Sequence, residues 1–274
     1  MPLSLDDKDY KTKLRSIFES WQICYQAGVH APTTPPIIEP DVLMLAYRSG
    51  IFPMADSRDD PEIFWIEPRI RAILPLDGFH LSGSLARTMR RGRFEVTCNQ
   101  AFSRVLEHCA APRADDAGGS WISHRIQASY EKLHSLGNAH SVECWRVSDE
   151  GTRELVGGLY GVGFDGVFCG ESMFSTASDA SKVALAWLVA AMRQAGARLL
   201  DCQFLTSHLE SLGAVEIAQS QYLRLLQLAQ QGPPDGRQPL SLPDAFGLLL
   251  DEAGEAGFAS SPGKFIAHFL TQTS

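Results

Sequence analysis

The chain has 274 residues, of which 45% are hydrophobic, and it carries a formal net charge of -8 at pH 7. This composition is typical of a globular protein with one large domain or two modest ones, and the acidic balance argues against a surface that coats nucleic acid broadly. No apolar run reaches the roughly 20 residues of a membrane helix, and the amino terminus is charged where a signal peptide is apolar. The sequence therefore predicts a cytoplasmic protein without membrane contact.

The six cysteines predict free thiols rather than a metal centre. They lie far apart, and neither a Cys-x-x-Cys pair nor histidines at zinc-finger spacing accompany them. We therefore expect no metal. We also expect no cofactor, for reasons that follow from the chemistry below.

The first part of the chain is predicted to contain an extension and a small domain. Residues 1–37 combine a helix-like stretch, KLRSIFESWQICYQAG, with a Pro/Thr-rich segment that cannot continue a helix. Residues 38–78 are predicted to form a small N-terminal domain, with a short helix that ends at Gly50 and one or two strands in EIFWIEPRIRAILPL.

Residues 79–230 have the pattern of a larger α/β domain. A basic helix, a short strand and two helices come first, and turn signals then separate three strands that we expect to form an antiparallel meander: SVECWRV, LVGGLYGVGF and VFCGESMF. A long helix follows, with Ser178 or Asp179 as N-cap and Gly196 as C-cap, and then a strand, ARLLDCQ, and two more helices. Residues 231–274 are predicted to form a tail with an acidic helix.

This order of elements resembles the acetyltransferase-like (GNAT) fold, with a mixed, largely antiparallel sheet. Members of that fold that use acetyl coenzyme A have a glycine-rich loop before the long helix, because backbone amides approach the pyrophosphate there. The corresponding loop here, ESMFSTASDAS, contains no glycine, and its acidic residues Glu171 and Asp179 would repel an anion. The sequence therefore disfavours coenzyme A as acyl donor.

Seven ordered motifs resemble those of the leucyl/phenylalanyl-tRNA protein transferase family: YRSGIFPM, AHSVECW, LVGGLYGV, FCGESMFS, ASKVAL, DCQ and HLESLGAVEI. The resemblance extends over about residues 38–224. It implies an aminoacyltransferase that moves leucine or phenylalanine, with methionine as a further candidate, from aminoacyl-tRNA to the amino-terminal Arg or Lys of a protein. The product would carry a bacterial degradation signal, and nothing in the sequence demands more than a monomer.

The resemblance also implies the catalytic residues. Asp201 and Gln203 are two apart on a strand, so they are expected to face the same side. Asp201 would orient Gln203, the amide oxygen of Gln203 would accept a hydrogen bond from the attacking amine, and Glu171 would supply negative charge. Asp201 as the direct base stays open, as does a purely structural role for the Asp201–Gln203 pair.

Substrate contacts follow from the same resemblance. The aminoacyl side chain would lie in an apolar pocket, although each of these residues would also suit an ordinary core: Leu159, Phe168, Met173, Leu185, Leu188 and Leu200. Tyr47 would stack on the terminal adenine of the tRNA, Tyr130 would be a further contact, and Met54 stands where many relatives have tryptophan.

A local basic segment suits RNA. Between Pro68 and Arg93, six arginines stand against one aspartate. Arg87, Arg90 and Arg91 share one helix face and Arg93 follows, a pattern for which a merely solvated basic surface is the usual explanation. The family resemblance implies a basic cluster at this place, so we favour phosphate contacts with tRNA. Two other functions stay open, a GNAT-fold acyltransferase with another amine acceptor and a non-catalytic protein that binds amino termini.

Overall fold

A seven-stranded sheet with helices on both faces organises the molecule. The computed structural model describes residues 37–112, 120–231 and 239–272. The predicted helix-like stretch within residues 1–37 and the start of the predicted tail lie outside these ranges. None of the helices in them is long and apolar enough to span a membrane.

The first half of the chain alternates short strands and helices. It contains α1 (Pro40–Arg48), β1 (Phe52–Met54), β2 (Phe64–Ile66), β3 (Ile70–Ile73), a 3-10 turn (Leu76–Gly78), α2 (Gly83–Arg90), β4 (Glu95–Cys98), α3 (Phe102–Ala110) and α4 (His124–Ser135). The second half contains β5 (Ala139–Val147), β6 (Arg153–Phe164), β7 (Val167–Ser175), α5 (Ala180–Gln194), β8 (Leu199–Gln203), α6 (Ser207–Glu210), β9 (Val215–Ala218), α7 (Gln219–Gln230), α8 (Leu242–Glu255) and α9 (Pro262–Phe269).

The sheet order is β4-β5-β6-β7-β8-β3-β9, and β1 pairs with β2 in a separate ribbon. Among the strand pairs of the described residues, β7 with β8 alone is parallel. The predicted meander of β5, β6 and β7 is confirmed, and Asp165 and Gly166 form its second turn with positive φ angles of 44° and 74°. The predicted mixed, largely antiparallel sheet is thus confirmed, and its likeness to the GNAT fold stays a prediction.

Two hydrophobic cores lie on opposite faces of this sheet. One face is covered by α2, α5, α8 and α9, and the other by α1, α3, α4 and α7. Helix α5 has twelve buried residues, which is the pattern of a helix apolar on nearly all sides and enclosed by protein. The sheet therefore presents one buried face to each core.

The ends of α5 differ in how closely they follow the prediction. Gly196 lies just after the helix with φ of 70°, as a C-terminal glycine should. Asp179 occupies the N-cap position, but its φ of 69° turns the carboxylate away and it makes no capping hydrogen bond. Instead, the Thr88 hydroxyl of α2 donates to Asp179 Oδ2 at 3.1 Å. Asp179 therefore joins α2 to the start of α5.

Two segments pack differently from what the sequence suggests. Strand β3, from the predicted small domain, lies between β8 and β9 of the large sheet. Helices α8 and α9, from the predicted tail, bury apolar side chains against α5 and α2. The predicted division into a small domain (38–78), a larger domain (79–230) and a tail (231–274) stays a prediction.

Gly161 on β6 allows an irregular pairing with β7. A Cβ atom at this position would lie 2.2 Å from the Cys169 carbonyl oxygen and 2.5 Å from the Phe168 ring. We expect Gly161→Ala to lower the free energy of unfolding by about 1–3 kcal/mol, because the backbone must shift. Chemical denaturation measures this loss. Gly247→Ala in α8 is the control, since no atom lies within 4 Å of its Cβ position, and it should gain about 0.5–1 kcal/mol. Equal stability of the two variants would contradict the prediction.

Candidate active site

A cleft of about 1340 Å³ opens beside the parallel β7–β8 junction. Its floor contains five of the six side chains predicted for the aminoacyl pocket: Leu159, Met173, Leu185, Leu188 and Leu200. Phe168 does not line the cleft; it lines a separate, smaller pocket of about 260 Å³ together with Phe164 and Met192. The structure thus brings an apolar floor together from strands β6, β7 and β8 and helix α5.

Polar groups occupy one end of the same cleft. Glu171 and Gln203 both line it. The Gln203 Nε2 amide donates to Glu171 Oε1 at 3.2 Å, and the Tyr130 hydroxyl donates to Glu171 Oε2 at 2.9 Å. The hydroxyls of Tyr130 and Tyr47 are hydrogen-bonded to each other. Because Gln203 uses its NH₂ group on the carboxylate, its Oε1 is the atom left to accept from a ligand.

A β-bulge places Glu171 in this position. Strand pairing runs from Tyr160 with Ser172 to Gly161 with Gly170, so Glu171 is the extra residue of β7. A bulge re-aims the side chain that it carries. Here it turns Glu171 toward Gln203 at the end of β8.

Asp201 lies beneath the cleft and not on its surface. Its side chain is fully buried, and Arg71 donates to it twice, Nε to Oδ1 at 2.8 Å and Nη2 to Oδ2 at 2.5 Å. The Tyr222 hydroxyl donates to Oδ2 at 3.0 Å, and the Gln203 backbone N–H donates to Oδ1 at 2.9 Å. Asp201 as a direct base is therefore inconsistent with this structure, since its oxygens are enclosed and occupied.

Asp201 and Gln203 were expected to point to the same side of the strand, but they do not. Gln203 has a φ of 56°, in the left-handed region, so the strand alternation ends there and its side chain turns into the cleft.

Arg71 does not belong to the predicted basic surface, because only 1% of it is exposed. Burial alone would lower the pKa of Arg71, but the hydrogen bonds and charge of Asp201 raise it above its ordinary value.

The carboxyl of Glu171 is poised for titration near neutrality. Burial raises its pKa to about 7, against the hydrogen bonds from Tyr47 and Tyr130, which lower it. The Asp201 carboxylate adds to the rise. Since burial favours the protonated form in the folded chain, Glu171 contributes stability at acidic pH that is lost as the pH rises through about 7.

Comparisons with known proteins identify the family of this chain. Residues 73–227 match the family profile described as Leucyl/phenylalanyl-tRNA protein transferase, and residues 37–69 match the profile of the N-terminal domain of the same family. The chain belongs to this family. A protein from Novosphingobium aromaticivorans named Leucyl/phenylalanyl-tRNA--protein transferase is 58% identical over 264 residues, which cover 88% of this chain and 98% of the relative. Proteins of the same name from Rhizorhabdus wittichii and Zymomonas mobilis are 56% and 52% identical, each over 70% of this chain and over 75% and 70% of their own length.

The family resemblance predicted that Tyr47, Met54 and Tyr130 contact RNA, and these residues differ in their accessibility. Met54 lines the cleft. Tyr47 and Tyr130 are buried, with 1% and 0% of their surface exposed, so neither offers a free ring face to a base. The stacking of Tyr47 on adenine and the further RNA contact of Tyr130 stay predictions. Both hydroxyls belong to the hydrogen-bonded group around Glu171.

The predicted basic cluster does reach solvent, apart from Arg71. Its other members are exposed. Arg69 lies just before β3, and the remaining four form an arginine cluster at the carboxyl end of α2 and just after it: Arg87, Arg90, Arg91 and Arg93. The bond from Thr88 to Asp179 holds α2 beside the cleft, because Asp179 lines the cleft. The arginine cluster and the apolar floor therefore belong to adjoining elements.

Several side chains at the site were not predicted. Trp121 and Phe204 line the cleft, and the half-exposed Phe204 packs edge-to-face on Phe52 with ring centroids 5.8 Å apart. One feature of the sequence could have indicated that Arg71 is buried: it is a charged residue among the apolar residues of strand β3. Within the described ranges, no group of three or more His, Cys, Asp or Glu side chains is arranged to hold a metal ion.

The hydrogen bond from Tyr130 to Glu171 is expected to affect the pH dependence of activity. If the ionised carboxylate is the active form, activity rises as the pH increases through about 7. Tyr130→Phe removes a hydrogen bond that lowers the pKa, so the acidic limb of the pH profile of kcat/KM should move to higher pH. The profile of aminoacyl transfer to a peptide measures this shift.

Tyr160→Phe is the matched control for Tyr130→Phe. Tyr160 is fully buried in the same core, and its hydroxyl has no hydrogen-bond partner in the described part of the chain. Its profile should coincide with that of the unmodified protein. A Tyr130→Phe profile that stays in place, or moves to lower pH, would contradict the assignment.

Proposed function

We propose that this chain transfers leucine or phenylalanine from aminoacyl-tRNA to the amino-terminal Arg or Lys of a protein, and so creates a degradation signal. One observation carries the proposal, namely that an apolar floor and the Glu171–Gln203 pair share a single cleft. Family membership supports it. We take the active species to be a monomer in the cytoplasm.

The reaction asks little of the protein beyond orientation. An aminoacyl ester is already activated, and an α-amino group with a pKa of roughly 7.7–8.0 has a useful neutral fraction near pH 7. The amine nitrogen forms a bond to the ester carbonyl carbon, the bond from that carbon to the ribose oxygen breaks, and the proton lost by nitrogen ends on that oxygen. The protein must align the amine and provide a path for this proton.

Gln203 and Glu171 divide this work. The Oε1 atom of Gln203 accepts a hydrogen bond from the amine and aligns its lone pair with the carbonyl. Glu171, one hydrogen bond away, places negative charge beside the incoming cation. A bound cation favours ionised Glu171, so acceptor binding lowers the pKa of a carboxyl that burial had raised. Tyr47 and Tyr130 hold that carboxyl by hydrogen bonds, and we assign them this role in place of contacts with RNA.

The apolar floor selects the transferred side chain only broadly. One methylene in a hydrophobic pocket is worth about 1–3 kcal/mol of discrimination. Leucine and phenylalanine should therefore both be accepted, with methionine as a weaker donor. The flexible thioether of Met173 in the floor suits side chains of different shape.

A matrix of donors and acceptors tests the proposed function. We expect labelled leucine and phenylalanine to move from charged tRNA to peptides that begin with Arg or Lys, and not to the same peptides with an acetylated amino terminus. Gln203→Ala should lower kcat by about 100-fold, because a misaligned amine reacts poorly. Transfer that requires acyl coenzyme A would favour another GNAT-fold acyltransferase. Peptide binding without any product would favour a non-catalytic binder.

The arginine cluster predicts a salt-dependent affinity for tRNA. Arg87→Glu, Arg90→Glu and Arg91→Glu together should weaken binding of charged tRNA and reduce the slope of log Kd against log salt by about 2–3, since three phosphate contacts are lost. Binding titrations at several salt concentrations measure both. A variant with Arg104, Arg146 and Arg198 changed to Glu has the same net charge at other exposed positions. If both triple variants lose the same affinity, net charge alone is responsible and α2 is not the contact.

A further inference from the structure

Arg71 is a buried cation that the proposed chemistry does not use. Only 1% of its surface is exposed, although arginine is seldom fully buried unless it is paired. It projects from β3 into the core beside β8, which carries Asp201. Removing the charge of Arg71 from water is costly, so its burial calls for a structural or functional reason.

The guanidinium of Arg71 is fixed in every direction. Two of its nitrogens donate to the two oxygens of Asp201, and a third, Nη1, donates to the Gly50 carbonyl at 3.1 Å. Its central carbon, Cζ, lies over the rings of Phe52 and Tyr222, 4.7 Å and 4.5 Å from their centroids. Such a paired and stacked arginine leaves its carboxylate partner a single orientation.

That orientation is transmitted to Gln203. Asp201 Oδ1 accepts the Gln203 backbone N–H at 2.9 Å, and the Phe204 N–H donates to the Cys202 carbonyl at 2.7 Å. Between these bonds, Gln203 adopts its left-handed φ of 56°. A non-glycine residue keeps this conformation only where its surroundings enforce it.

We propose that Arg71, supported by Tyr222, is the positioning residue for Gln203: it holds the Asp201 carboxylate so that the turn at Gln203 aims its amide into the cleft. Asp201 takes no proton in this arrangement. The inference rests on the proposed role of Gln203 in transfer. It assigns a function to an arginine on the side of the sheet away from the pocket floor.

Three variants test the inference: Arg71→Met, Asp201→Asn and the two combined. Arg71→Met leaves a buried carboxylate without its cation, and we expect kcat to fall by about 100-fold with KM for charged tRNA unchanged. Asp201→Asn keeps an oxygen for the Gln203 N–H but leaves Arg71 uncompensated. The double variant is neutral and keeps that oxygen, so its kcat should exceed that of either single variant by roughly tenfold.

Two outcomes would overturn the inference. One is a folded Arg71→Met protein with kcat within about twofold of the unmodified value. The other is a double variant no more active than the singles, as expected if Asp201 were itself the proton acceptor. Circular dichroism and the melting temperature establish folding in each case.

Milder variants keep the test decisive if Arg71→Met does not fold. Tyr222→Phe deletes only the hydroxyl on Asp201, and should lower kcat about tenfold without changing KM for charged tRNA; an unchanged kcat counts against the inference. Arg146→Met, in an exposed ion pair with Glu154, is the control and should behave as the unmodified protein. Failure of the proposed function is separate, since the unmodified protein would then transfer nothing.

Discussion

The ion pair between Arg71 and Asp201 is the contact on which the site depends. Taking both charges out of water is expensive, and the pair is favourable only when its remaining hydrogen-bonding atoms are also satisfied. Here the Gly50 carbonyl, the Tyr222 hydroxyl and the Gln203 N–H complete it. These partners come from the start of the described chain, from α7 and from the end of β8. The pair thereby joins elements distant in sequence at the edge of the cleft.

The two carboxyl groups at this end of the cleft, Asp201 and Glu171, have opposite electrostatic environments. Asp201 receives a protein cation and is enclosed. Glu171 receives hydrogen bonds from tyrosine and glutamine, which satisfy its oxygens, and burial raises its pKa to about 7. A carboxyl in that state gains most from a cation that arrives with the substrate, because the ligand supplies the charge that burial left uncompensated. The contrast supports the roles that we propose, with Glu171 as the group that meets the acceptor and Asp201 as part of the framework.

The parts of this fold that follow local rules could be predicted from the sequence. The meander follows from its turn signals, α5 from its length and its C-terminal Gly196, and most of the pocket floor from motif resemblance. Features that depend on contacts distant in sequence could not. The four residues of β3 do not show which strand they pair with, and the bulge at Glu171 exists only relative to Gly161 on β6. The burial of Tyr47 against Tyr130, across 83 positions, is of the same kind.

The C-terminal helices support the helix that forms part of the pocket floor. Leu185 and Leu188 contribute the helical part of the pocket floor, so the position of α5 sets the depth of the cleft. On its other side, Trp187 of α5 stacks on Phe246 of α8 with ring centroids 5.0 Å apart, and Gln194 donates to Glu252 at 2.7 Å. Because a close-packed core is hardly compressible, a shift of α8 would also move α5. The shape of the pocket therefore depends on a segment that lies beyond residues 73–227 and contributes no side chain to the cleft itself.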